Sequence, residues 1–332
     1  MVGSLDANFL QSPLWAEANR KIGHQVEWVD STLCIIKDAR RGRYMEVPGG
    51  PLINWQDSSQ VHQMVKALRA LASAKKCAFV RLRPQLLNTP TNLQMLKELG
   101  LRPSPMHLHA EHTVMIDLTK TEEELLAAMR RQTRYEVRRA EKLKIKVAHF
   151  SAEGFDYQKF ISSPRSIKSD FANLLEEFYE AQQKTAARQN FIPPSRKELA
   201  AEAEAFRKNA TLYIAKTADG QPIAYGLILG FGREADYFEA ASTDLNRKLP
   251  GAYAILWQAM KDLKAAGFAR FNLWGIAPPG QPNHRYAKVT TFKTGFGGEI
   301  VNFVPAHDLV ISKIKYLPDF IIETARKRRR HL

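Results

Sequence analysis

Two stretches decide the fold: STLCIIKDARRGRYMEVPGGPLI at residues 31–53 and TLYIAKTADGQPIAYGLILGF at residues 211–231. Each reads as two apolar, β-prone runs folded about a turn, basic in the first and Asp219-Gly220 in the second. After the first hairpin, Asp57 and Gln60 resemble a capping box, and Val61, Met64, Val65, Leu68 and Leu71 recur at helical spacing. CAFVRLRP (77–84) follows as a strand. After the second come a strand YFEAAS (237–242), a helix GAYAILWQAMKDLKAAGF (251–268) and a strand ARFNLW (269–274). Each half is therefore hairpin, strand, helix, strand. This predicts an α/β (α+β) chain built from two copies of one unit, each a mixed, mostly antiparallel sheet flanked by helices. The pattern is common among α/β proteins, so coincidence stands beside duplication as an equal reading of the repeat.

The bulk composition sets bounds on this reading. A length of 332 residues suits two domains, and 45% apolar with 25% charged residues is an ordinary globular balance. The sequence has no apolar run long enough for a membrane-spanning helix, and MVGSLDANFLQ has neither the basic nor the apolar region of a signal peptide. Cys34 and Cys77 lie in apolar strand-like runs and are expected as buried, reduced thiols. No CxxC or HxxxH spacing occurs. The run HLHAEH (107–112) offers metal-capable side chains without a further clustered ligand, so no metal site is expected. The cytoplasm, extending to the inner face of the membrane, is the expected location. A monomer is the expected state.

Lys and Arg outnumber Asp and Glu by 49 to 34, and the resulting +15 favours a polyanionic partner. Two clusters stand out. The tail ARKRRRHL (325–332) is one; residues 130–146, with eight Lys/Arg against two Glu, are the other. The latter lie in TEEELLAAMRRQTRYEVRRAEKLK (121–144), read as a helix opened by a Thr121–Glu124 capping box. Leu125, Leu126, Met129, Val137, Ala140 and Leu143 fall within one arc of about 120°, and Arg130, Arg131, Arg134, Arg138 and Lys142 within another. A solvated face is the plainer reading of that stripe, but same-sign neighbours repel and an external anion would relieve them. A second link, FYEAQQKTAARQNFIPPSRKELAAEAEAF (178–206), reads as helix, Pro-Pro loop, helix.

No P-loop, no GxSxG, no Ser/His/Asp spacing and no evident acid/base carboxylate pair occurs. What remains is TTFKTGFGGEIVNF (290–303), with one lysine beside Phe292 and glycines at 295, 297 and 298. HRYAKVTTFK (284–293) reads as a helix stopped by Gly295. Lys293 in its last turn offsets the negative helix end on the plain reading, and the glycines make a tight turn.

Four stretches, in order and spanning nearly the whole chain, resemble the FemABX family of bacterial aminoacyltransferases. NFLQSPLWAEANRKIG (8–23) is similar to its LQS-x-x-W opening, and VPGGPLI (47–53) to its strand ending in GGP. MRRQTRYEVRRAEK (129–142) resembles its basic helix, and LWQAMKDLKAAGFARFNLWGI (256–276) with FKTGFGG (292–298) its ending. Departures exist. Four residues after Trp15 the chain has Asn19 where the family often has a phosphate-contacting lysine, NLWGI replaces DLGGI, and the coiled-coil insertion of some members is missing.

The resemblance implies two tandem GNAT-like domains, residues 1–145 with 305–332 and residues 146–304, the C-terminal helix returning to the first. It implies transfer of an amino acid from aminoacyl-tRNA to an amine of a peptidoglycan precursor, UDP-linked or lipid-linked, without a cofactor. Lys293 takes the catalytic place, stabilising a tetrahedral oxyanion, and Phe292 shapes the site. Arg188 in TAARQNF resembles an arginine that binds precursor phosphates, and Tyr253 a tyrosine lining the same cleft. The basic stripe and tail would suit tRNA, and the tail equally an anionic membrane. Two rivals stand beside this reading. An acyl-CoA-dependent GNAT enzyme would need a glycine-rich pyrophosphate loop, yet NRKLPGAY (246–253) has Pro250 where the first glycine belongs and DSSQ has none. A non-catalytic RNA-binding protein would leave FKTGFGG unexplained.

Overall fold

The computed structural model describes residues 8–107, 109–163, 169–189 and 192–330. Leu108 of HLHAEH, Asn190 and Phe191 of TAARQNF, and His331 and Leu332 of the tail lie outside the described residues. The chain divides into two compact units. One comprises residues 1–113, 275–290 and 300–332; the other comprises 114–274 and 291–299.

The first unit opens on α1 (Pro13–Lys21), β1 (Gln25–Val29), β2 (Thr32–Ala39), β3 (Gly42–Gly49), α2 (Ser58–Ala74), β4 (Phe79–Pro84), α3 (Pro90–Glu98) and β5 (Arg102–Pro103). The chain then runs through β6 (His112–Asp117), α4 (Glu122–Ala128), α5 (Arg131–Lys142), β7 (Lys146–Ser151), α6 (Tyr157–Ser162), α7 (Asp170–Gln189) and α8 (Arg196–Phe206). Next come β8 (Ala210–Lys216), β9 (Pro222–Phe231), β10 (Glu234–Ser242), α9 (Gly251–Ala265), β11 (Arg270–Gly275), α10 (Ala287–Thr294) and β12 (Glu299–Asn302). It ends with β13 (His307–Val310) and α11 (Lys313–Arg330).

Among the described residues these strands form two mixed sheets, ordered β1-β2-β3-β4-β13-β5 and β12-β6-β11-β10-β9-β8-β7. The internal repeat is real at the level of pairing. In the first sheet β1, β2 and β3 form an antiparallel meander, and β4 then lies parallel to β3. In the second, β8, β9 and β10 do the same and β11 lies parallel to β10. A helix, α2 or α9, makes each crossover, as a parallel pair requires.

In the first unit LQS and GGP turn out to be one joint. Gln11 donates to the Pro48 carbonyl at 2.6 Å and accepts from the Leu33 amide at 2.8 Å, bridging β2 and β3. Asn8 donates to the Gly49 carbonyl at 2.6 Å. A Cβ on Gly49 or Gly50 would fall 2.3 Å or 2.7 Å from those two side chains, so only glycine leaves them room. Ser12 caps α1 by accepting from the Trp15 amide at 3.1 Å. Asn19, at the position of the family lysine, is buried and donates back to the Trp15 carbonyl at 2.9 Å.

Strand β4 is buried along its whole length because both of its faces are covered. Val80 and Leu82 join Met45, Val47, Met64 and Leu68 in one apolar core. Phe79 packs on the other face against Tyr316 of α11. Arg81 on that face grips Asp308 through two bonds of 2.8 and 2.9 Å and Glu323 of α11 at 2.7 Å, while the Tyr316 hydroxyl donates to Asp308. Every charge in this network is met by a hydrogen bond, as burial demands. We expect Asp308→Ala to lower the unfolding free energy by about 3 kcal/mol, because it strips a buried arginine of its bidentate partner. The urea midpoint of the full chain measures it.

Candidate active site

The helix anticipated over 121–144 is broken. Met129 and Arg130 are extended, with ψ of 146° at each, so α4 ends at Ala128 and α5 starts at Arg131. The cause lies in FKTGFGG. The Arg130 amide donates to the Gly295 carbonyl at 2.8 Å, and its guanidinium to the Thr291 carbonyl at 2.6 Å. An intact helix would have turned that amide inward.

The three glycines make this approach possible. A Cβ on Gly295 would sit 2.3 Å from the Thr133 hydroxyl, on Gly297 2.8 Å from the Ala128 carbonyl oxygen, and on Gly298 2.5 Å from the Met115 carbonyl oxygen. Gly297 and Gly298 also hold φ of +84° and +87°, which side-chain-bearing residues rarely adopt. The turn is therefore pressed against backbone, and the side chain just before it is forced inward.

That side chain is Lys293. It closes α10 and is only 8% exposed. Its ammonium lies 5.9 Å from the centre of the Tyr237 ring. Burial lowers its pKa to about 7, against the opposing pull of Glu239. A lysine offsetting a solvent-exposed helix end would not be buried in this way. Phe292 and Tyr253 meet edge to face at 4.9 Å, and Phe296 stacks on Tyr253 at 5.8 Å. Phe292 and Tyr253 are thus brought together, and Lys293 follows Phe292 in the chain with its ammonium by the Tyr237 ring.

Glu239 was not foreseen from sequence, and neither were its partners. It stands on β10 where the pairing with β9 slips by one residue between Tyr237 and Glu239, a bulge that re-aims the strand's side chains. Gln182 of α7 donates to its carboxylate at 2.6 Å. Burial raises the Glu239 pKa to about 7. Glu202 of α8 is buried, where Glu239 is half-buried, and its pKa is pushed well above the usual carboxylate range, first by burial and then by Glu239. The sequence shows no carboxylate pair, yet folding makes one from residues in different elements. Among the described residues, Glu202 Oε2 and Gln182 Oε1 have no hydrogen-bond partner. The signal available in advance was one carboxylate in an apolar strand, YFEAAS.

Arg188 belongs to the same α7–β10 seam. It donates to the Ser242 carbonyl and to the Thr185 hydroxyl, and lies 3.7 Å from Asp244. Its guanidinium is already engaged by the fold. The basic stripe also divides. Arg130 and Arg134 turn back onto backbone carbonyls of Thr291, Ala127 and Met129, while Arg131, Arg138 and Lys142 are exposed. In the first unit the HLHAEH histidines are engaged otherwise, His107 with Glu111 at 2.9 Å and His112 with Asn302 at 2.8 Å. At the start of α9 the Gly251 amide donates to Leu249 and the Ala252 amide to Asn246. Two groups that could cradle a pyrophosphate there are therefore occupied.

The model of the FemAB family matches residues 3–218 and 194–323. The chain belongs to the FemAB family. At the level of class, this FemAB-family protein is an acyltransferase of peptidoglycan interpeptide-bridge synthesis. No curated protein matches its sequence significantly. Its fold is similar to that of FemX, with a TM-score of 0.76 and 15% identity over 96% of this chain and 95% of that one. It is also similar to L-PGS from Bacillus licheniformis, with a TM-score of 0.59 and 12% identity over 98% of each chain. A third likeness is to the C-terminal domain of a putative lysylphosphatidylglycerol synthetase from Agrobacterium fabrum, at 0.56 and 14% over 93% and 91%. At such identities these likenesses speak for the fold alone, an α/β fold of two mixed sheets flanked by helices, as expected.

Gly298→Ala should cost the family turn about 2 kcal/mol or more, combining positive φ with a clash against the Met115 carbonyl. Thermal unfolding of the variant measures this loss.

Proposed function

We propose that this protein transfers an aminoacyl group from aminoacyl-tRNA to an amine of a peptidoglycan-precursor stem peptide, without a cofactor. The observation that carries the reading is the buried Lys293, held by the glycine turn among Phe292, Tyr237 and Glu239. The ester of an aminoacyl-tRNA is already activated, so no enzymic nucleophile is required. The attacking amine adds to the carbonyl carbon, negative charge grows on the carbonyl oxygen, and a preplaced cation in a dry site stabilises it. Lys293 supplies that cation when protonated, and Glu239 favours the protonated form. The carbon–oxygen bond to the ribose then breaks, the proton shed by the attacking nitrogen ends on the departing ribose oxygen, and the new amide and deacylated tRNA are released.

Two features speak against acyl-CoA as donor: Pro250 in the would-be pyrophosphate loop, and the amides of Gly251 and Ala252 bonded within the chain. The direct test incubates the protein and a stem-peptide acceptor with labelled aminoacyl-tRNA or labelled acetyl-CoA. Transfer from the RNA donor, abolished by ribonuclease, is the expected result; transfer from acetyl-CoA would overturn it.

Lys293→Met keeps most of the stem and removes the cation. It should lower kcat by about 10²–10³ while leaving thermal stability at neutral pH no lower than wild type. A destabilised variant with normal turnover would make Lys293 structural.

The sign of the pH dependence follows from the same group. Lys293 loses its proton as pH rises through about 7, so the rate should fall there. Glu239→Gln removes the charge that holds that pKa up, so the falling limb of the pH–rate profile should move to lower pH. A limb that stays in place would separate Glu239 from the lysine.

For tRNA, Arg131 and Arg138 are the exposed candidates of the stripe. Arg131→Glu with Arg138→Glu should weaken tRNA binding and flatten its log–log salt slope by about 0.7–0.9 per lost phosphate contact. Filter binding across a salt series reads both.

A further inference from the structure

Helix α11 has two opposed faces. The inner one carries Tyr316, Asp319, Phe320 and Glu323, bound to Asp308, Arg41 and Arg81 and covered by the Arg102 guanidinium. The outer one is apolar. At about 100° per residue, Ile314, Leu317 and Ile321 fall in a single row opposite the buried face. Their exposures are 88%, 57% and 57%. Pro318 and Ala325 are exposed beside them.

Single exposed apolar residues are ordinary, but a row on the outward side of a docked helix is not. Its surroundings are one-signed. Lys313 and Lys315 stand at one end; Arg326, Lys327, Arg328 and Arg329 stand at the other. The helix has two carboxylates, Asp319 and Glu323, and both are turned inward and paired with arginines.

We propose that this face docks on the surface of an anionic lipid bilayer. The aliphatic row would enter the boundary between headgroups and acyl chains, and the flanking cations would meet lipid phosphates. Neither half of the surface suits another occupant as well. An RNA backbone would satisfy the cations and leave three aliphatic side chains in water. A second copy would set like charges against like. Among the described residues no helix is long and apolar enough to cross a membrane, so the contact is peripheral. The inference does not depend on the acyl donor or acceptor proposed above.

The test is co-sedimentation of the full chain with vesicles of phosphatidylcholine alone and of equal parts phosphatidylcholine and phosphatidylglycerol. Binding to the mixed vesicles is expected. The variant Ile314→Ser/Leu317→Ser/Ile321→Ser should lower the bound-to-free ratio about tenfold or more, because it removes the inserted row while keeping the charges. Arg326→Glu/Arg328→Glu/Arg329→Glu should lower it similarly and make the remainder less salt-sensitive. Wild-type protein that ignores both vesicles, or a serine variant that binds like wild type, would overturn the proposal. So would a serine variant that loses tRNA binding or self-association in equal measure.

A second measurement leaves the row almost intact. Cys34 and Cys77 are buried, so a polarity-sensitive dye can be placed selectively at Ile314→Cys. Its emission should shift to the blue with the mixed vesicles; no shift would count against insertion.

Discussion

The close approach of backbone to backbone around Gly295–Gly298 is the constraint on which the second unit's chemistry rests. Three positions there have no room for a Cβ. The consequences reach both ways along the chain. On one side the Gly295 carbonyl takes the Arg130 amide and so breaks a helix that periodicity alone would have continued. On the other, α10 must end at Thr294, and its last turn drives Lys293 toward β10 instead of water. The glycines thus make a turn, and through it they place a cation.

The two units treat buried charge in opposite ways. Around Arg81 each charge is met by a counter-charge and a directed bond, and the result is a clamp on β4, β13 and α11. Around Glu239 the balance is poorer. The buried Glu202 lies within electrostatic reach of the half-buried Glu239, and among the described residues oxygens of Glu202 and Gln182 have no hydrogen-bond partner. A structure that needs only stability has no reason to keep such a site. The pKa values of Glu239 and Lys293 are both moved to about 7, so either group can change charge near neutrality. Proton-linked chemistry needs that condition.

Much of this was legible in advance. The hairpins, the crossover helices and the repeat follow from periods of 2 and 3.6, which report which side of an element meets apolar surroundings. The family resemblance located Lys293 with Phe292, and aromatic contact with Tyr253 follows from their meeting across α9 and α10. What local pattern missed is what distant segments impose. The helix break at Met129 depends on a carbonyl far along the chain. Asn19 looks in sequence like an altered phosphate ligand, but it is spent on the Trp15 carbonyl of its own helix.

Sequence by itself determined the architecture and the family, because these depend on residue type and on short-range spacing. Tertiary structure decided what the charged residues can do. It separated Arg130 and Arg134, folded back onto carbonyls, from Arg131 and Arg138, which face water. It bonded Gln182 to Glu239 and brought Glu239 within electrostatic reach of Lys293 from segments far apart in the chain, and it turned the acids of α11 inward, leaving its outer face apolar and cationic. Charge is written in the sequence, whereas its energy is set by the water and counter-charges around it, and those exist only once the chain has folded.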